Sequence, residues 1–186
     1  AIPAPPQERL TGRYKTVPAL RPITVQHVLT HTAGLANTYR GLTQPEFQET
    51  VAPRAPGDTV GDMLTRLARL PLNFHPGDQW EYGRGTDVVG RLVEVMSGQT
   101  LDEFLRERIF EPLEMVDTHF YLPLSKLDRF AALYRPGDYG QITLAAPPTP
   151  ASRFVAEPHT YFSGAGGLVS TARDYFRFHQ MMLNGG

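Results

Sequence analysis

The segment from His75 to Thr118 constrains the fold most, because turn and helix signals alternate along it. A Pro-Gly pair opens the segment with a predicted turn. Apolar residues then recur at helical spacing from Thr86 to Met96, and Ser97-Gly98 ends this predicted helix. The order Thr-Leu-Asp-Glu at Thr100–Glu103 is typical of a capping box, which predicts a second helix directly after the first. This part of the chain is therefore predicted to be helical.

Similar signals predict the other elements. Helices are predicted at Ile23–His31 with Thr24 as the N-cap, at Thr59–Leu70, and after Thr171, and Thr43–Glu46 resembles a capping box. Short strands are predicted at Thr118–Leu122, Phe130–Tyr134 and Gln141–Ala145, followed by a Pro-rich loop over Ala146–His159. We therefore divide the chain into residues 1–117, a helical region with an irregular arm over 1–22, and residues 118–186, which hold the strands and loop.

The composition excludes several classes of protein. With 186 residues, of which 41% are hydrophobic, the chain can bury one sizeable core. A formal net charge of -1 argues against a nucleic-acid-binding protein and against a protein that binds membranes through a polybasic surface. No apolar run is long enough to span a bilayer. The chain has no cysteine, which excludes disulfides, thiolate catalysis and Cys-ligated zinc. Both the bacterial cytoplasm and the periplasm are compatible with this composition, so the compartment stays open.

Two histidines have the spacing of metal ligands on a helix. His27 and His31 are four residues apart, but no Glu lies between them as in a zincin, and no third ligand is near in sequence. The favoured interpretation is that His31 hydrogen-bonds backbone in a turn that ends at Gly34. We expect neither a metal nor a cofactor.

Tyr82 is the main catalytic candidate, because it lies between the Pro-Gly turn and the start of a helix. A tyrosine at such a junction can point its hydroxyl into a cleft and transfer protons. No motif in these 186 residues supplies the nucleophile that such a tyrosine would serve. Ser163 lacks the Gly-x-Ser-x-Gly context because residue 161 is Tyr, and neither Lys15 nor Lys126 belongs to a Ser-x-x-Lys motif.

Several segments together resemble the serine β-lactamase-like hydrolases, which include class C β-lactamases, DD-peptidases and family VIII esterases. They occur in the family's order and cover most of the chain: Arg21–Leu35, Phe74–Tyr82, Asp87–Glu94, Ile109–Met115 and Gly164–Asp174. The resemblance implies an α/β parent fold, an antiparallel sheet flanked by helices with a helical insert. It also implies that this central part is mainly α with a few antiparallel strands.

The resemblance also implies a mechanism. Members of this family use a Ser-x-x-Lys at a helix start, a Tyr-x-Asn and a later Lys/His-Thr/Ser-Gly strand, and the serine attacks an acyl carbonyl. Tyr82 matches the tyrosine of the second motif, whereas Arg84 replaces its Asn. This replacement puts β-lactam recognition in doubt and favours ester substrates. Arg84 is expected either to bind a carboxylate or to point to solvent.

Four further residues are candidates for the wall of a substrate pocket: Trp80, Tyr161, Phe162 and Gly164. For the three aromatic residues, core packing is the competing interpretation. Closely spaced glycines after residue 163 are expected to let the backbone pack tightly against a neighbouring element.

The resemblance places the Ser-x-x-Lys helix before Ala1 and the Lys/His-Thr/Ser-Gly strand after Gly186, and neither motif occurs in these residues. We therefore expect a partial chain of a serine hydrolase, an esterase or carboxylesterase acting through an acyl-enzyme, that is inactive alone. The alternatives are a non-catalytic binding module or fold relic of the same family, and a β-lactamase or DD-peptidase. The expected partner is a small ester or amide. An incomplete sheet with open edges would also favour self-association or a complementing chain.

Overall fold

A computed structural model describes residues 2–3, 16–156 and 159–186. The chain divides into two compact units. Unit 1 comprises residues 1–101 and 160–166, and unit 2 comprises residues 102–159 and 167–186. The predicted division at residues 117 and 118 stays a prediction. The predicted arm over residues 1–22 lies mostly outside the described residues.

Unit 1 is built from short helices that end at local signals. Its elements are β1 (Ile2–Pro3), β2 (Thr16–Val17), α1 (Val25–Leu29), α2 (Gln44–Thr50), α3 (Val60–Leu67) and α4 (Gly85–Ser97), and α5 (Leu101–Leu105) begins at its border with unit 2. Strands β1 and β2 pair antiparallel. Helix α4 ends where predicted, since Gly98 takes a left-handed conformation at φ 74°.

The helix starts follow the capping signals in two cases and depart from them in one. Thr24 and Thr59 form complete capping boxes at the starts of α1 and α3, as their side chains accept hydrogen bonds from the backbone N–H of His27 and Asp62. The predicted capping box at Thr43 is wrong. Its hydroxyl is fully buried and donates 2.6 Å to Asn73 Oδ1, so a long-range hydrogen bond replaces the cap.

The core of unit 1 lies between α2 and α3. Its buried cluster consists of Ala36, Phe47, Val51, Val60, Met63 and Leu67, and Tyr161 packs against it. Phe47 has no exposed surface. Fully burying a side chain of this size stabilises the folded state by about 1.5–3 kcal/mol. Packing of Tyr161 on this core brings the 160–166 segment to the helices.

Unit 2 contains a π-helical turn (Arg106–Phe110), two 3-10 turns (Leu124–Arg129 and Asp138–Gly140), β3 (Leu133–Pro136), β4 (Ile142–Ala146) and α6 (Ala172–Leu183). β3 and β4 form an antiparallel hairpin near the two predicted strands. The predicted strand at Thr118–Leu122 is wrong, because that stretch makes only an isolated bridge from His119 to Val169. Helix α6 begins as predicted, with the Thr171 hydroxyl accepting from Asp174 N–H.

The predicted fold class is confirmed. The described residues are mainly helical with small antiparallel strand pairs. Among the described residues, no helix is long and apolar enough to cross a bilayer.

Candidate functional site

Tyr82 lies on the loop that leads into α4, and 47% of its surface is exposed. A hydrogen bond of 2.9 Å from Glu81 N–H to the His31 carbonyl joins this loop to the turn after α1. The phenol is therefore reachable from solvent while its backbone is held by a neighbouring turn. Such a position suits a group that exchanges protons with a bound molecule.

The ring of Tyr82 belongs to a row of four rings, which we call the aromatic strip: Tyr39, Tyr82, His31 and Trp80. Ring centroids lie 6.3 Å apart for Tyr39 and Tyr82, 4.9 Å for Tyr82 and His31, and 6.2 Å for His31 and Trp80. Tyr39 and Trp80 are exposed by 72% and 62%. Trp80 thus lies at the surface rather than in the core.

His31 has an unusual environment. Its backbone takes a left-handed φ of 56°, which costs free energy for a residue with a Cβ. Its Nδ1 atom is buried and has no hydrogen-bond partner among the described residues. The hydrogen bonds of His31 to backbone are made by its main chain, which donates to the Val28 carbonyl at 3.4 Å and accepts from Glu81 N–H at 2.9 Å, while its ring contacts the rings of Tyr82 and Trp80. Among all the residues that the structure describes, no group of three or more His, Asp or Glu side chains is placed to hold a metal ion.

A buried polar network fixes the backbone on one side of Tyr82. The Glu81 carboxylate accepts hydrogen bonds from the side-chain amides of Asn37 and, at 3.0 Å, Asn73. Asn37, only 1% exposed, accepts in turn from the backbone N–H groups of Tyr39 and Arg40 at 2.8 and 3.1 Å. The network sets the position of Tyr39 beside Tyr82.

On the C-terminal side of Tyr82, a buried carboxylate binds two neighbouring side chains. Asp87 has no exposed surface and lies in the first turn of α4, where negative charge is favourable. It accepts a hydrogen bond of 2.5 Å from the Ser163 hydroxyl and pairs with Arg84 Nη1 at 3.2 Å. The Arg84 guanidinium also lies 5.6 Å from the centroid of the Phe47 ring. Arg84 thus binds a carboxylate of the protein itself, and whether it also meets a substrate stays a prediction.

The 160–166 segment meets α4 at its first turn. A Cβ on Gly164 would lie 2.1 Å from the Thr86 carbonyl oxygen, so only glycine fits without a backbone shift. This close approach is the tight packing that the closely spaced glycines predict. The Arg54 guanidinium lies 3.9 Å from the centroid of the Tyr161 ring. Burial, and after it the Asp87 charge, raises the pKa of the Tyr161 hydroxyl. Phe162 is half-buried.

The predicted site residues thus form two groups in unit 1. Tyr82 and Trp80 gather around His31, whereas Arg84, Tyr161 and Gly164 gather around Asp87. Their assignment to a substrate site stays a prediction. Sequence reasoning assigned no role in this site to Asp87, Glu81 or Tyr39. An acidic residue in a first helical turn is explained by the helix dipole alone, so nothing local pointed to Ser163, 76 residues away.

Known proteins resemble the chain over most of its length. The family model described as "Beta-lactamase" matches residues 5–186. Lovastatin esterase from Penicillium rubens is 33% identical over 171 residues, which cover 90% of this chain and 38% of that protein. Esterase EstB from Burkholderia gladioli is 33% identical over 175 residues, covering 83% of this chain and 43% of that protein. The chain thus spans about two fifths of the length of these relatives.

Solved structures match as well. The LovD6 mutant of simvastatin synthase from Aspergillus terreus gives a TM-score of 0.72 at 26% identity, covering 94% of this chain and 39% of that one. EstCE1, described as a hydrolase with promiscuous acyltransferase activity, gives a TM-score of 0.70 at 25% identity, and the match covers 91% of this chain and 49% of EstCE1. The chain therefore belongs to the beta-lactamase family, the serine β-lactamase-like hydrolases that also include esterases and acyltransferases.

Proposed function

We propose that the chain is part of an esterase that acts through an acyl-enzyme, in which Tyr82 transfers the proton of the attacking serine. The observation that carries this proposal is the exposed Tyr82 side chain on the loop before α4, at the position of the tyrosine in the family's Tyr-x-Asn motif. In acylation, a serine oxygen attacks the ester carbonyl while Tyr82 accepts its proton. The same proton then passes to the departing alcohol.

The proposal includes inactivity of these 186 residues alone. An ordinary tyrosine has a pKa near 10 and is a weak base at neutral pH unless a cation lies beside it. The printed sequence has no Ser-x-x-Lys to supply a nucleophile and that cation. Catalysis would therefore require a serine and a lysine from additional polypeptide.

Ester substrates are favoured because Arg84 occupies the position of the family's asparagine. Its guanidinium pairs with Asp87, so it offers no amide to a β-lactam or a peptide. A small ester is the proposed substrate. Transfer of the acyl group to an alcohol other than water is the second candidate, supported by the likeness to EstCE1 and to simvastatin synthase.

We also propose that another polypeptide covers the apolar surface of unit 2, as a complementing chain or as a second copy. Large apolar side chains are exposed on the hairpin and on α6: Leu133, Tyr134, Ile142, Leu144, Tyr175, Phe176, Met182 and Leu183. Exposed apolar surface of this kind favours association. Sedimentation velocity over a hundredfold range of protein concentration tests whether the chain pairs with itself.

Two assays test the catalytic proposal. The purified 186-residue chain should neither hydrolyse p-nitrophenyl butyrate nor react with a fluorophosphonate probe, and turnover that is lost in Tyr82→Phe would overturn the expected inactivity. For the positive test, the segment of EstB that aligns with this chain is replaced by the chain itself. The chimera should hydrolyse p-nitrophenyl esters in preference to nitrocefin.

Folding of the chimera is checked by thermal unfolding and by fluorophosphonate labelling. A folded, labelled chimera without esterase activity would contradict the proposal and favour a binding module. Preference for nitrocefin would favour a β-lactamase instead.

A further inference from the structure

We propose that the aromatic strip binds the flat, uncharged apolar part of a substrate. The strip consists of Tyr39, Tyr82, His31 and Trp80. The inference rests on the proposed function, because it assigns a substrate class to the same site. It goes further by naming the chemistry of the group that lies against the protein during the reaction.

The first argument is exposure. Three of the four rings are open to solvent, at 72% for Tyr39, 47% for Tyr82 and 62% for Trp80, although each ring contacts the next in the row. Aromatic side chains gain most from burial and prefer partners that stack or meet edge to face. A continuous exposed row of rings is therefore a surface on which a flat apolar group gains contact with several rings at once.

The second argument is that the strip is already fixed. Glu81, between Trp80 and Tyr82, is anchored by the side-chain amides of the buried Asn37 and the partly buried Asn73, and by its N–H bond to the His31 carbonyl. Asn37 fixes the backbone of Tyr39 in the same network. Because these residues are ordered before a ligand arrives, binding costs little additional conformational entropy.

The third argument concerns charge. Arg84, two residues after Tyr82, pairs with Asp87 at 3.2 Å, and Arg40, next to Tyr39, lies 3.8 Å from the Glu81 carboxylate. Each cation that flanks the strip in sequence is thus matched by a carboxylate. An anionic ligand would have to draw Arg84 or Arg40 away from its carboxylate to find a counter-charge, whereas an uncharged ligand does not, so the geometry favours an uncharged group over an anionic one.

Trp80 is the only tryptophan in the chain, and its fluorescence therefore reports on the strip directly. The probe is 4-nitrophenyl butyl ether, which resembles an ester substrate but cannot be hydrolysed. We expect saturable quenching of Trp80 emission by this ether, with the same dissociation constant by calorimetry. Cyclohexyl butyl ether, which is not flat, and 4-butoxybenzoate, which is negatively charged, should each bind at least about fivefold more weakly.

Variants test the location. Tyr39→Leu removes one ring while keeping an apolar side chain, and it should weaken binding of the nitrophenyl ether about fivefold. Tyr134→Leu is the matched control, since Tyr134 is 58% exposed on the hairpin of unit 2, and it should leave the dissociation constant unchanged. Tyr82→Phe keeps the ring and should retain binding within about twofold.

Tyr82→Phe also separates the two proposals, because loss of its hydroxyl removes the proposed proton transfer but not the binding surface. Equal affinities for the flat and the non-flat ether, or equal effects of Tyr39→Leu and Tyr134→Leu, would overturn the inference. So would Trp80 emission that responds to protein concentration and not to the ether, since the strip would then be a contact between copies of the chain.

Discussion

Replacing Asp87 by alanine is predicted to destabilise unit 1 by about 3 kcal/mol. The buried carboxylate accepts a hydrogen bond of 2.5 Å from Ser163 and pairs with Arg84 at 3.2 Å. Hydrogen bonds to charged groups contribute about 1.5–3 kcal/mol each, and the bond to the half-exposed Arg84 belongs at the lower end. Removing one partner of a buried ion pair typically costs about 3–5 kcal/mol net of desolvation, and the lower end applies here because 31% of the Arg84 side chain is exposed and can regain water.

The assay is urea unfolding followed by Trp80 emission and by far-UV circular dichroism, because Trp80 reports on unit 1. In thermal unfolding, the same loss of about 3 kcal/mol should lower the Tm by about 6–12 °C for a chain of this size. A double-mutant cycle of Asp87→Ala with Ser163→Ala should give a coupling free energy of about 2 kcal/mol.

The matched control is Asp78→Ala, since Asp78 pairs with Arg21 at the surface with 40% of its side chain exposed. This variant should lose less than about 1 kcal/mol. If Asp87→Ala costs no more than Asp78→Ala, or if the cycle shows no coupling, the role assigned to the buried carboxylate is wrong.

Two further predictions concern packing and pH. Gly164→Ala should lower the free energy of unfolding by about 1–3 kcal/mol, because its Cβ would lie 2.1 Å from a backbone oxygen. Gly61→Ala, inside α3 and next to the flexible Arg91 side chain, should raise it by up to about 1 kcal/mol in the same urea titration. Burial, and after it the charge of Lys126, lowers the pKa of His119 below its usual 6.5. Below pH 6.5 the unfolded chain therefore binds a proton that the folded chain does not, and stability should fall as pH decreases from 7. His119→Gln should reduce this loss in thermal unfolding at pH 7 and pH 5, and an unchanged pH dependence would contradict the assignment.

Local signals in the sequence predicted the helix boundaries well. Thr24, Thr59, Gly98 and Thr171 act at distances of a few residues, so their effects can be read without knowing the fold. Long-range partners decided the failures. Thr43 has the local sequence of a cap, but its hydroxyl donates instead to Asn73, 30 residues away.

The same distinction applies to the strands and the site. A strand requires a paired neighbour, and the stretch after Thr118 makes only the bridge from His119 to Val169. Tyr82 could be selected from its motif, because the turn and the helix beside it are local. Asp87 could not, because its significance depends on burial and on Ser163, which approaches only in the folded chain.

The most direct test of the central claim is the rate of acyl-enzyme formation in the EstB chimera, measured by stopped flow with p-nitrophenyl butyrate. If Tyr82 transfers the proton of the attacking serine, Tyr82→Phe should slow acylation by about 10²–10⁴-fold, while the folded fraction stays the same. Tyr134→Phe should leave the rate unchanged. An acylation rate in Tyr82→Phe within a few-fold of the unsubstituted chimera would contradict the claim.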